Sequence, residues 1–230
     1  MVQIGHQEEA YIEFEGTTFR WINGTVERDA VVTVPVNDLQ NTEAEVEKLN
    51  RLLSAIVWDH KHPIRKLWAI GGARRPYPSV YSPRMSRGVH VDSNFLMYFP
   101  GEKQLTDVQW LALALFREAV NSGSKFYAFF SYYKILDIPF KNNNKDRVDW
   151  INRVAPTLTR EKARLDEILV KTTDLEKYLR DELANAIKHV LRKPILNPDD
   201  PKDEFKITAD LYVVQDFARL AIEKMLNEPN

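Results

Sequence analysis

Apolar and polar positions alternate singly near the start of the chain, then recur at helical spacing through most of the remainder. Tyr11, Glu13 and Glu15 alternate with Ile12 and Phe14, Gly16 breaks the run, and Phe19 to Ile22 resumes it. Asn23 and Gly24 then offer a hairpin turn. Ala30 to Val36 is a further β-branched run, and Pro35 predicts that it lies at a sheet edge. From Asn41 to Asp59 the period changes. Val46, Leu49, Leu52, Leu53, Ile56 and Val57 fall on one side of an amphipathic helix that would pack on the strands. Arg65 to Ile70 and His90 to Phe99 read as strands, and Pro100 with Gly101 forms a boundary.

Beyond Leu105 the helical period dominates. Thr106 is placed to cap a helix to about Asn121, and Ser122 to Ser124 interrupt it. Lys125 to Asp137 carries aromatics on more than one side, as a helix buried in a bundle does. Lys145 to Val154 reads as a shorter helix, and Lys162 to Val170 as either a further short helix or a connection. Asp174 to Lys193 predicts one long helix, with Asp174 as N-cap, Pro194 as terminator, and Leu175, Leu179, Leu183, Ile187 and Leu191 as its apolar stripe. Asn197 to Glu204 reads as a polar linker. Leu211, Val214, Phe217, Leu220, Ala221 and Met225 form the seam of a closing helix. The expected fold class is α+β: a small β-rich unit over residues 1–101, then a mostly helical bundle over residues 102–230.

Composition narrows the function classes. The 230 residues are 44% hydrophobic and 28% charged, and the net charge of -1 exerts no global pull on nucleic acid or membrane. There is no cysteine, which excludes disulfides, thiolate metal sites and cysteine nucleophiles. No charged leader with an apolar core and no long apolar run is present, so a cytoplasmic protein without membrane spans is expected. Neither a glycine-rich phosphate loop nor a serine nucleophile elbow occurs. Of His6, His60, His62, His90 and His189, the pair His60 and His62 has poor ligand spacing, so neither a metal nor a cofactor is expected.

Two polar stretches bear on binding. Residues 71–90 hold Arg74, Arg75, Arg84 and Arg87 with Tyr77 and Tyr81 and no acid. They read either as a phosphate contact with an aromatic stacked on a base, or as a surface loop whose arginines pair with acids elsewhere. The second stretch is the end of the long helix, where Asn185, Lys188, His189, Arg192 and Lys193 cluster. At roughly 100° per residue Asn185, His189 and Arg192 share a face, whereas Arg180 lies about half a turn from His189.

Asn185-Ala186-Ile187-Lys188-His189, then Asn197-Pro198-Asp199-Asp200 and Ala209-Asp210-Leu211, resembles the C-terminal signature of the methylamine utilization protein J family. In that family the helix usually reads Arg-Asn, three residues, then His, the pattern of the HEPN (higher eukaryotes and prokaryotes nucleotide-binding) superfamily. The resemblance implies a helical bundle, commonly a homodimer, and a metal-independent endoribonuclease of the kind found in prokaryotic antiviral defence and toxin systems. Ser131 to Asp137 resembles the bundle's earlier helix, where the family often carries an acid near the site, which makes Asp137 a supporting residue. Nothing in the sequence supports the methylamine chemistry of the family name.

The chain departs from the motif at Ala184, where the family has arginine. A naturally degenerate site and a substitution introduced into a toxic protein both fit that residue. RNA cleavage without metal uses the neighbouring 2′-hydroxyl as nucleophile, so a proton-transfer group near neutral pH is needed, and His189 is the candidate. Asn185 would orient the phosphate or the imidazole, and an arginine would hold the scissile phosphate. With Ala184 the expected protein is an inactive or weakened ribonuclease; the alternative is a non-catalytic module that binds RNA, a nucleotide or a protein partner.

Overall fold

A computed structural model of the chain describes residues 2–4, 9–23, 31–34, 42–60, 64, 95–97, 105–141, 143–188, 194 and 196–227. The chain divides into two compact units, Met1–Lys103 and Gln104–Asn230. The first is strand-rich and the second helical, an α+β protein.

In the N-terminal unit, β2 (Glu9–Phe14) and β3 (Thr17–Ile22) form an antiparallel hairpin, and β4 (Val31–Thr33) adds to β3 at the edge of this sheet. The hairpin closes through Glu15 and Gly16 at φ 47° and 71°, where Gly16 was expected to break the run. A two-residue turn with both residues left-handed matches the twist of the strands it joins. Asn23, the first residue of the turn expected between β3 and β4, accepts a hydrogen bond from Trp21 Nε1 at 3.0 Å, while Gly24 lies outside the described residues. Ile12 and Phe19 oppose each other across the hairpin and are fully buried. With Ala10 they pack on Leu52 and Ile56 of α1 (Thr42–His60), ringed by Phe14, Trp21, Val32, Val34, Leu49 and Ile64. The period change at residue 41 therefore marks the helix that covers the sheet. β1 (Val2–Ile4) and β5 (Phe95–Met97) form a separate antiparallel pair. The expected strand over Arg65 to Ile70 lies outside the described residues.

The helical unit contains α2 (Asp107–Asn121), α3 (Lys125–Asp137), α4 (Asn144–Val154), α5 (Lys162–Lys171) and α8 (Pro201–Asn227). Between α5 and α8 runs a composite helix: α6 (Leu175–Lys177), a π-helix over Tyr178–Ala184, and α7 (Asn185–Lys188). Thr106 and Gln109 form a reciprocal capping box at the start of α2. Asn143 caps α4, accepting from Lys145 N at 3.1 Å. The expected linker Asn197 to Glu204 is shorter than its composition implied, because α8 already begins at Pro201. Proline lacks only an N–H that a first helical turn leaves unbonded, and Asp200 accepts from Lys202 N at 2.9 Å.

The core of this unit lies where α3 meets α2 and α8. Phe129, Ile135 and Leu136 of α3 are buried with Val213, Val214 and Phe217 of α8. Phe116 meets Tyr132 edge to face at 5.5 Å, and Trp150 reaches Phe217 at 6.3 Å. Polar ends are tied: Gln215 Nε2 donates to Tyr132 Oη at 3.0 Å, and Gln109 Nε2 to the Met225 carbonyl at 2.7 Å.

One acid of the N-terminal unit is destabilised by its position. Burial at the end of α1 pushes the Asp59 carboxyl up to about 6 from 3.8. A folded-state value above the unfolded one means that its contribution to stability is full below about pH 4 and is lost as the pH rises through about 6. Asp59→Asn should therefore raise stability at pH 7 by about 1 kcal/mol, discounting for residual solvent, with the gain vanishing at pH 4. Denaturant unfolding at the two pH values measures this, and an equal effect at both would contradict it.

Candidate functional site

The composite helix is built by the spacing of its buried residues. Leu175 and Glu176, then Tyr178 and Leu179, then Leu183 and Ala184 face the interior. The last two pairs lie five residues apart, which an α-helical turn would splay and a π turn brings into line. The Asn185 N–H accordingly bonds the Arg180 carbonyl, five residues back. Thr172 and Asp174 cap the start, Asp174 accepting from Lys177 N at 2.9 Å.

Two charge clusters hold this helix. The first centres on Glu176, whose side chain is 1% exposed beside that of Arg147 at 3%. Glu176 Oε1 accepts from Arg147 Nη2 at 2.6 Å, Arg147 Nε at 3.0 Å and Tyr133 Oη at 3.1 Å. Its other oxygen, Oε2, pairs with Arg180 Nη1 at 3.1 Å. Arg147 also reaches Asn144 Oδ1 at 2.8 Å and pairs with Asp137 through Nη1. Arg180 in turn bonds Asp181 through Nε at 3.1 Å and Nη2 at 3.3 Å, and Asp181 Oδ1 accepts from Asn185 Nδ2 at 2.9 Å. Alternating charges therefore run without a break from Asp137 on α3 to Asp181, which holds the neutral amide of Asn185 at the start of α7. Hydrogen bonding to Asp181 raises the pKa of the Arg180 guanidinium, and burial raises that of the Tyr133 hydroxyl.

The second cluster anchors the π segment to its neighbours. Asp210 of α8, fully buried, accepts from Arg164 Nε at 2.7 Å and from Tyr178 Oη at 2.7 Å. Burial, then the bond to Asp210, raises the pKa of the Tyr178 hydroxyl.

The predicted site residues separate accordingly. Asp137 and Asn185 are the two ends of one network. Lys188 is exposed. Ala184 is 2% exposed, so the position at which the resembled motif would carry arginine faces the packed interior of this unit. His189, Arg192 and Lys193 lie outside the described residues, as do Arg74, Arg75, Arg84, Arg87, Tyr77 and Tyr81. The uniform 100° wheel is corrected: across Tyr178–Ala184 the turn is wider, so Arg180 and Asn185 lie one π turn apart on the same side. Arg147, Glu176, Arg180 and Asp181 were missed. The available signal was an acid, Glu176, set within an apolar stripe. Among the described residues no three His, Asp or Glu side chains converge to hold a metal, and no helix is long and apolar enough to cross a membrane.

Residues 112–223 match the family described as Methylamine utilization protein MauJ. The match runs from within α2 to within α8 and includes the whole composite helix. It begins beyond the strand-rich unit. Comparison with curated proteins and with solved structures gives no match.

Removing one member of a buried charge cluster leaves the others desolvated and unpaired, whereas replacing the pair with apolar groups is often nearly neutral. Glu176→Leu should cost about 3 kcal/mol in denaturant unfolding. Adding Arg147→Met should recover more than half of that loss; a double variant no better than the single one would show that the pair is not the unit of stability.

Proposed function

We propose that the MauJ-like region is a HEPN-type RNA-handling bundle whose endoribonuclease activity is weakened by Ala184. The observation that carries this reading is Asn185, half-buried and fixed at the end of an ordered charge network, four residues before a histidine in the spacing the resemblance requires. His189 supplies the group that moves protons near neutral pH. It takes the proton from the 2′-hydroxyl as that oxygen attacks phosphorus; the bond from phosphorus to the 5′-oxygen breaks and that oxygen takes a proton from water, giving a 2′,3′-cyclic phosphate and a 5′-hydroxyl. Arginine at 184 would stabilise the charge developing on the phosphate, and alanine offers neither charge nor donor. Lys188, Arg192 and Lys193 supply positive charge along the same stretch, and the basic sequence 71–90 is a second RNA contact. The active form is a homodimer that brings two such helices to one cleft, in a defence or toxin setting.

Ala184 also favours a second reading, an RNA- or nucleotide-binding or protein-interaction module without catalysis. The experiment that separates the two is Ala184→Arg. The long side chain must leave a buried position, its stem packing while its head reaches solvent, so the melting temperature is checked first. A folded Ala184→Arg protein should cleave RNA in the presence of a chelator roughly two to three orders of magnitude faster than the chain as it stands. His189→Ala should abolish the gain. If Ala184→Arg does not fold, RNA binding by the present chain, weakening with salt, is the readout. A folded arginine variant that binds RNA but does not cleave it selects the module, and absence of both cleavage and binding overturns the RNA reading.

A further inference from the structure

The bond between Asp181 and Asn185 decides which end of the amide is available. A carboxylate has acceptors only, so Asn185 must turn its NH2 toward Asp181, as the Nδ2 to Oδ1 distance of 2.9 Å records. The trigonal amide then carries its carbonyl oxygen away from Asp181. Asp181 is itself held by two Arg180 nitrogens, and Arg180 by the buried Glu176. The orientation of Asn185 is thus set through Arg180 from a group that solvent does not reach. We propose that Asp181 is a positioning residue that fixes Asn185 with its carbonyl oxygen toward the ligand, where it accepts a hydrogen bond from a ribose 2′-hydroxyl.

This rests on the RNA reading above and makes it more specific. Asn185 could have served as a phosphate donor, but one N–H of its NH2 is taken by Asp181 and the other lies beside that carboxylate, whose negative charge disfavours a phosphate oxygen there. The donor that an RNA backbone offers is the 2′-hydroxyl, which is also what separates RNA from DNA. Asn185 therefore acts on the sugar, and the phosphate is left to positive charge elsewhere. Asp181 touches no reacting atom and acts through Asn185.

Two measurements on the full chain test this. Asp181→Ala should move the Asn185 side-chain amide resonance toward that of a solvated asparagine, whereas Asp181→Asn, which keeps an acceptor oxygen, should leave it near its original place. The present chain should prefer an RNA oligonucleotide over its 2′-deoxy counterpart by about three- to tenfold, the worth of one hydrogen bond. Asp181→Ala and Asn185→Ala should both erase that preference, and Asp181→Asn should keep it. An unmoved resonance in Asp181→Ala overturns the positioning role. RNA binding with no ribose preference, or a preference that survives Asp181→Ala, overturns the inference while leaving the RNA reading intact. No binding by any of the four proteins overturns the RNA reading and, with it, the ligand named here.

Discussion

The carboxylate of Glu176 is the constraint from which the helical unit's polar architecture follows. A carboxylate removed from water is tolerated only with its oxygens bonded and its charge balanced. Arg147 and Tyr133 meet one oxygen and Arg180 the other. Because Arg147 comes from α4, Tyr133 from α3 and Arg180 from the next turn of the same chain segment, satisfying one acid locks three elements together. A cluster of this kind adds little net stability over an apolar core and favours one arrangement of its helices over others. Its value here is placement: the same charges that hold Glu176 continue outward through Asp181 to Asn185.

The π turn is the second half of that placement. Tyr178 bonds Asp210 at one end of the segment, and Leu183 and Ala184 pack inward at the other. An α-helical path cannot bring residues 178, 179, 183 and 184 to one side, so the segment takes the wider turn, a geometry often found at functional sites. Widening the turn rotates everything after it, which stacks Asn185 over Arg180. Fold and candidate site are thus linked through a backbone irregularity held at both ends by buried groups.

Much of the fold was legible in periodicity. The change from alternation to helical spacing near residue 41 marked α1, and the caps Thr106 and Asp174 stand where hydroxyl and carboxylate side chains predicted them. The errors have physical causes. The charged stretch before the last helix looked like linker, yet proline and acids suit a first helical turn. Of the site, Asn185 and Asp137 were visible as motif residues, but the path between them was not. Glu176, Arg147 and Arg180 are distant or unremarkable in sequence, and only the burial of Glu176 and Arg147 together reveals the cluster that Arg180 completes. Likewise no wheel drawn at constant angle could place Arg180 beside Asn185.

If the buried charges position Asn185 for RNA, a perturbation at Glu176 must be felt through Asn185. A double-mutant cycle on RNA affinity, using Glu176→Gln, Asn185→Ala, the double variant and the unaltered chain, measures that dependence directly. The account predicts a coupling energy of about 0.5–3 kcal/mol, because the residues belong to one network. Losses that simply add would contradict it and leave Glu176 as a structural acid with no part in the site.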